Sequence, residues 1–150
     1  MKKYIGTKII EAVPAIRKGG KVYEKDQPIP KSMDPVEEGY KVRYADGYES
    51  FSPKDVFEEA YRETDCLSFG LAIEAAKKGK KIARRGWNGK NQYVEIAERI
   101  SYENAAHEVI NAKHEAIGNK ALAFVGTSGV QLGWLASQAD MLADDWEIVE

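Results

Sequence analysis

The order of apolar and polar positions divides the chain near residue 65. Residues 3–13 are rich in Ile and Val and alternate only loosely, which predicts a strand. Pro28, Pro30 and Pro35 then fall among Asp26, Ser32, Asp34 and Gly39, the composition of a long surface loop. Residues 40–44 and 48–51 flank Asp46-Gly47, which predicts a hairpin with a type I′ turn. Ser52 as N-cap, Pro53 at the first helical position and Asp55 near the positive end of the dipole open a helix. Val56, Phe57, Ala60 and Tyr61 give that helix an apolar face.

The second segment begins with another helix. Ser68 caps it, Phe69, Ala72, Ile73 and Ala76 form its stripe, and Gly79 ends it. Residues 80–85 read as a strand, with Ile82 and Arg84 on one face and Lys81, Ala83 and Arg85 on the other. A turn at 86–89 leads to a return strand at 93–97. Residues 101–115 read as an amphipathic helix, because Tyr102, Ala105, Ala106, Val109 and Ile110 recur at helical spacing. Residues 121–125 and 130–134 form a hairpin about Gly126-Thr127-Ser128-Gly129, followed by a helical turn at 137–142 and a last strand at 146–149. In that strand Trp146 alternates with Ile148, which assigns Trp146 to the core. The expected class is α+β: a small antiparallel sheet with helices packed on it (66–150), preceded by a small β-hairpin and helix segment (1–65).

A length of 150 residues fits one compact domain or two very small ones. Lys and Arg number 22 against 24 Asp and Glu, for a net charge of -2. That argues against a nucleic-acid polymer as partner, since duplex binders carry a basic excess that displaces counterions. Cys66 is the single cysteine, so no internal disulfide forms. The N-terminus starts basic, but Gly6, Thr7 and Lys8 break any signal-peptide core, and no run approaches the ~18 apolar residues of a membrane span. A cytoplasmic protein without a membrane segment is expected. Locally the second segment is polarised. Lys77, Lys78, Lys80, Lys81, Arg84, Arg85 and Lys90 have no acid among them, whereas Asp140, Asp144, Asp145, Glu147 and Glu150 follow the last basic residue, Lys120. These charges fit pairing within a subunit, pairing across an oligomer interface, or two solvated faces.

No catalytic motif stands up. His107 and His114 lie seven apart, one face of the expected helix, with no Cys or third His to complete a zinc set. There is no Gly-x-Ser-x-Gly elbow, and Gly126-Thr127-Ser128-Gly129 lacks the Lys of a phosphate loop. Asp144-Asp145 reads as a solvated turn. The expectation is a protein that is not an enzyme and carries no metal or cofactor.

Two stretches suit a nucleotide ligand. Arg84-Arg85-Gly86-Trp87-Asn88-Gly89-Lys90 sets cations for phosphate beside an indole for stacking, a carboxamide for polar edges and glycines for close approach. The run from Trp134 to Trp146 offers another indole, a helix N-terminus at residues 137–139 and an acid, Asp140, able to hold ribose hydroxyls. The same residues equally describe core tryptophans beside turns and a capping box, Ser137-x-x-Asp140, and Asp140 would repel a phosphate at that terminus. Both readings stand on the residues alone.

These stretches, together with Gly70-Leu71-Ala72-Ile73-Glu74-Ala75-Ala76-Lys77-Lys78-Gly79, resemble the Thoeris anti-defense 2 family of phages and prophages over residues 66–150. The resemblance implies a phage-encoded, homotetrameric sponge in the host cytoplasm. Such a sponge binds cyclic ADP-ribose-type signals made by TIR-domain proteins without cleaving them; some members also take cyclic dinucleotides of the CBASS defence at a separate site. It implies ligand-binding roles for Arg85, Trp87, Asn88, Trp134, Ser137, Gln138, Asp140 and Met141. The indoles would be pocket walls, Arg85 would meet the pyrophosphate, and the polar side chains would take edges and hydroxyls. Residues 1–65 lie outside this resemblance and are like a leader found on other small phage proteins. The alternatives are a phage structural or protein-interaction module, and a nucleotide hydrolase using Asp140 or Asp144 with a divalent ion.

Overall fold

A computed structural model describes residues 1–87 and 91–150, and the chain divides into two compact units, 1–62 and 63–150. Both are mostly antiparallel sheet with a few short helices.

The first unit is a four-stranded sheet of order β2-β1-β3-β4, built from β1 (Glu11–Lys18), β2 (Lys21–Glu24), β3 (Val36–Arg43) and β4 (Glu49–Pro53), with α1 (Lys54–Ala60) after it. The strand expected at 3–13 lies later in the chain. Only from Glu11, opposite Arg43, does it meet a partner, and residues 1–10 form no strand. The stretch expected to be all loop holds the start of β3, and β2 precedes it. β1 and β2 form a hairpin closed by Gly19-Gly20, both at positive φ (58° and 78°) with Lys18 opposite Lys21. This is the two-residue turn that the twist of paired strands favours.

The turn at Asp46-Gly47 is a different one. Gly47 N–H donates to the Tyr44 carbonyl (2.9 Å), Tyr44 N–H donates to Tyr48 (2.9 Å), and only Gly47 has positive φ. The loop is therefore three residues, 45–47, rather than type I′. α1 also begins one residue later than expected. Ser52 stays in β4 opposite Tyr40, and Pro53 holds the cap position without a side-chain cap bond. Gly39 has its own cause, since a Cβ there would meet the Ser52 carbonyl oxygen at 2.1 Å and the Phe51 ring at 2.6 Å.

The second unit holds a five-stranded sheet of order β10-β9-β6-β5-β11: β5 (Lys81–Arg84), β6 (Tyr93–Ala97), β9 (Ala121–Gly126), β10 (Gly129–Leu132) and β11 (Trp146–Val149). α2 (Phe69–Lys77) starts as the sequence predicts, with the Ser68 hydroxyl accepting from Leu71 N–H, and buries Ala72, Ala75 and Ala76. Those alanines let the helix lie close on Ile82, Val94 and Trp146, all without solvent exposure. At full burial such side chains each contribute about 1.5–3 kcal/mol, which makes this layer the main stabilising element of the unit.

The helix expected at 101–115 does not form. Two short strands stand there, β7 (Tyr102–Glu103) and β8 (Val109–Ile110), paired with each other. Asn104 Oδ1 accepts from the N–H groups of Ala106 (3.0 Å) and Glu108 (2.9 Å), and Asn111 bonds the backbone of Ile100 and Ala116. Asparagine side chains thus take the backbone groups a helix would use. Tyr102, Val109 and Ile110 remain exposed, so no apolar surface rewards the helical arrangement. His107 and His114 are turn residues at positive φ (63° and 55°) and do not share a helix face.

Candidate functional site

Strand β5 and the segment before β11 come together because β11 pairs antiparallel with β5, setting Trp146 opposite Arg84. Arg84 shares the inward face of β5 with Ile82, and its guanidinium there closes on two acids. Nε donates to Asp145 Oδ1 at 2.8 Å and NH1 to Asp140 Oδ1 at 2.9 Å. The side chains are only 21% (Arg84), 15% (Asp140) and 28% (Asp145) exposed, so solvent screens them weakly. Asp145 Oδ2 also accepts from Gly86 N–H (3.2 Å), which fixes the turn after β5. Of the polarised charges noted in the sequence, Arg84 pairs within the chain with Asp140 and Asp145.

Asp140 is the junction. Its Oδ1 accepts from Arg84 and from the Trp87 indole N–H (3.4 Å), its Oδ2 from Ser137 N–H (3.2 Å), and its carbonyl from the Trp146 indole (2.8 Å). Ser137 Oγ accepts from Asp140 N–H, completing a capping box on the four-residue helix α3 (Gln138–Met141). Burial works to raise the Asp140 pKa, but the bonds from Arg84, Ser137 and Trp87 outweigh it and hold the carboxyl below its ordinary value. For Asp145 the Arg84 bond dominates and burial opposes it, again with a lowered result. The Asp145 and Asp140 bonds in turn raise Arg84.

Around this junction the aromatic rings converge. Trp87 lies 5.4 Å from Phe124, 5.9 Å from Trp134 and 5.3 Å from Trp146, centroid to centroid. Trp146 is fully buried, as its alternation with Ile148 implies, whereas Trp87 and Trp134 keep part of their surface in solvent.

The residues singled out from the sequence therefore separate into groups. Trp87 and Trp134 are packed together. Ser137 and Asp140 are brought beside them, with their hydrogen-bonding atoms engaged by the cap and by Arg84. Arg85, Gln138 and Met141 are exposed, and the Arg85 guanidinium has no partner among the described residues. Asn88 lies outside the described residues. The centre of the network corrects two expectations: Arg84, read with Arg85 as a cation for phosphate, is held by two carboxylates, and Asp145, read as part of a solvated turn, is one of them. The signal for Arg84 was its place on the Ile82 face, because a cation on a buried face requires carboxylates. Among the described residues no group of three or more His, Cys, Asp and Glu could hold a metal ion, and no helix is long and apolar enough to cross a membrane.

The model of the Thoeris anti-defense 2-like domain matches residues 67–149, the stretch that contains this whole network. The chain belongs to that family. A relative, Thoeris anti-defense 2 of Bacillus phage SP01, is 36% identical over 88 residues, covering 55% of this chain and 94% of the phage protein. The Thoeris anti-defense 2-like domain thus coincides with the second unit, and the four-stranded first unit is an addition to it.

Proposed function

We propose that the chain is a phage anti-defence protein that binds a cyclic ADP-ribose-type signal, or a cyclic dinucleotide, and withholds it uncleaved from its receptor in the infected cell. The observation that carries this reading is the convergence of the two family motifs. Residues 84–87 and 134–146 are locked together by the Arg84–Asp140–Asp145 network and the packed indoles, while Arg85 and Gln138 are left free at the surface. A packed aromatic cluster and, two residues before Trp87 in the chain, an exposed guanidinium supply the two kinds of group that recognise a base and a pyrophosphate. Sequestration without cleavage is supported by the state of the acids. The Asp140 carboxylate already accepts three hydrogen bonds, one of them from the Arg84 guanidinium at 2.9 Å, whose positive charge would repel a metal ion there.

Assembly into a homo-oligomer, a tetramer by the resemblance, belongs to the same proposal. Val130, Leu132, Leu135, Met141 and Leu142 are all exposed, and the first two lie on β10, an edge strand of the sheet. Exposed apolar edges of this kind call for a partner surface.

The deciding experiment incubates the protein with cyclic ADP-ribose isomers and cyclic dinucleotides, follows the melting temperature, and chromatographs the ligand after heat release. A raised melting temperature with intact ligand supports the sponge. Fragments support a hydrolase, and no shift with any of them supports an interaction module. Arg85→Ala should leave the unliganded melting temperature unchanged and weaken binding by about 10- to 100-fold, the worth of one hydrogen bond to a charged group.

A further inference from the structure

The first unit has two unlike sheet faces. On one, ion pairs cross the strands: Arg17 with Glu37, Lys41 with Glu24 and Glu49, and Arg43 with Glu11 and Glu49. The strand alternation puts Pro14, Ile16, Tyr23, Glu38, Tyr40 and Val42 on the other. Helix α1 covers only the β3–β4 side of that face, where Phe57 stacks on Tyr40 (4.1 Å) and Val42 is buried. Over β1 and β2 the face stays open as a groove of about 410 Å³, walled by Pro14, Ile16, Tyr23, Ile29 and Tyr40. Its rim carries Lys25, Lys54, Glu58 and Glu38. Glu58 accepts from the Tyr40 hydroxyl (2.9 Å), whereas the Glu38 carboxylate has no partner among the described residues.

The same unit carries an unused ligand for such a groove. Residues 1–9 are exposed, form no helix or strand, and contain no acid but Lys2, Lys3 and Lys8. Tyr4 and Ile5 are 88% and 92% exposed, so two large apolar side chains bury almost nothing. Lys8 lies over the Tyr44 ring at 5.1 Å, which holds the arm at the turn end of β3. The groove lies at the other end of the ladder, five residues along β1 from Glu11 and about 16 Å away at the strand rise. The arm therefore joins its own sheet at the end opposite the groove.

We propose that this groove receives the N-terminal arm of a second copy of the chain, with Tyr4 and Ile5 on the Tyr23–Tyr40 floor and Lys3 paired with Glu38. The contact lies outside the Thoeris anti-defense 2-like domain and does not depend on what that domain binds. Because each copy offers both arm and groove, two copies exchange arms symmetrically, a closed arrangement.

Disulfide trapping between two full-length chains tests it, in a Cys66→Ser background. One chain carries Ile5→Cys; the other carries Ile16→Cys in the groove, or Val13→Cys, exposed on the ion-pair face. The expected result is that the 5–16 heterodimer forms about tenfold faster than the 5–13 one, as docking raises the local concentration. Tyr23→Cys, opposite Ile16, gives an independent reading. Glu38→Lys should slow the 5–16 reaction and Lys54→Glu should speed it. Equal rates at Ile16 and Val13 overturn the proposal. So does a bond that forms only within a single dilute chain carrying both Ile5→Cys and Ile16→Cys, since the arm then lies on its own sheet. Signal binding measured on the same chains reports separately on the second unit.

Discussion

The two units use the same parts in opposite ways. Each is an antiparallel sheet with a short helix on it, and each contains arginines bonded to carboxylates at 2.7–2.9 Å. In the first unit Arg17 and Glu37 are both 44% exposed on an open sheet face. In the second, Arg84, Asp140 and Asp145 are mostly buried and share their atoms with a helix cap, two indoles and a turn. Equal distances therefore do not mean equal consequences. An exposed pair loses little on removal, whereas removing one partner of a half-buried network leaves a charge that water only partly compensates.

The strongest way to break this comparison is at Trp146, which has no first-unit counterpart. Its ring is fully buried among Phe69, Trp87 and Trp134, and its N–H satisfies the Asp140 carbonyl. Trp146→Ala should cost the second unit about 4 kcal/mol, by cavity formation and loss of that bond. In calorimetry or hydrogen exchange, protection of the second-unit amides should collapse while the β1–β3 ladder remains protected. Equal loss in both units would show that the two do not fold independently.

Arg84→Met comes next, at about 2–3 kcal/mol, because Asp140 and Asp145 would stay behind without their cation. The same network sets an acid limit. Both carboxyls lie below their ordinary value of 3.8, so the native state binds fewer protons there than the unfolded chain. Their stabilisation is complete above that value and is lost as pH falls through the lowered native values. Urea melts of the second unit between pH 6 and about pH 3 should show this loss, and Arg84→Met should flatten the slope. A parallel slope in the variant would remove the network as its origin.

These contrasts also mark what was legible in the sequence. α2 with its Ser68 cap, the β9–β10 hairpin and the buried Trp146 follow from local signals, and there local signals and packing agree. The helix expected at 101–115 failed because spacing alone ignores Asn104 and Asn111, whose side chains compete for the backbone. β2 was missed although Gly19-Gly20 between two strand-like runs is a hairpin signal in its own right. In the candidate site, Ser137 and Asp140 had two readings, and the structure realises the capping one. Arg84 was hidden behind its neighbour Arg85. Residue type cannot separate them, but strand parity does, since Arg84 shares a face with the fully buried Ile82.

Ser137→Ala sharpens the comparison at a smaller scale. The cap should be worth about 1 kcal/mol, read as a lower second-unit midpoint in urea. A much larger loss would mean that the cap also holds the Arg84 network in place.

The smallest effect belongs to the first unit. Arg17 pairs with Glu37 at 2.7 Å and lies over the Phe51 ring at 4.8 Å. Its charge is screened by water and salt, but its planar guanidinium covers the ring. Glu37→Gln should thus change first-unit stability by less than about 0.5 kcal/mol, with the difference vanishing in high salt. Arg17→Ala should cost more than Glu37→Gln, because it uncovers Phe51 as well as breaking the pair, and Arg17→Met should recover part of that difference. If Glu37→Gln proved as costly as Arg17→Ala, the charge would be acting in the exposed sheet as it does in the buried network, and exposure would not be what separates the two units.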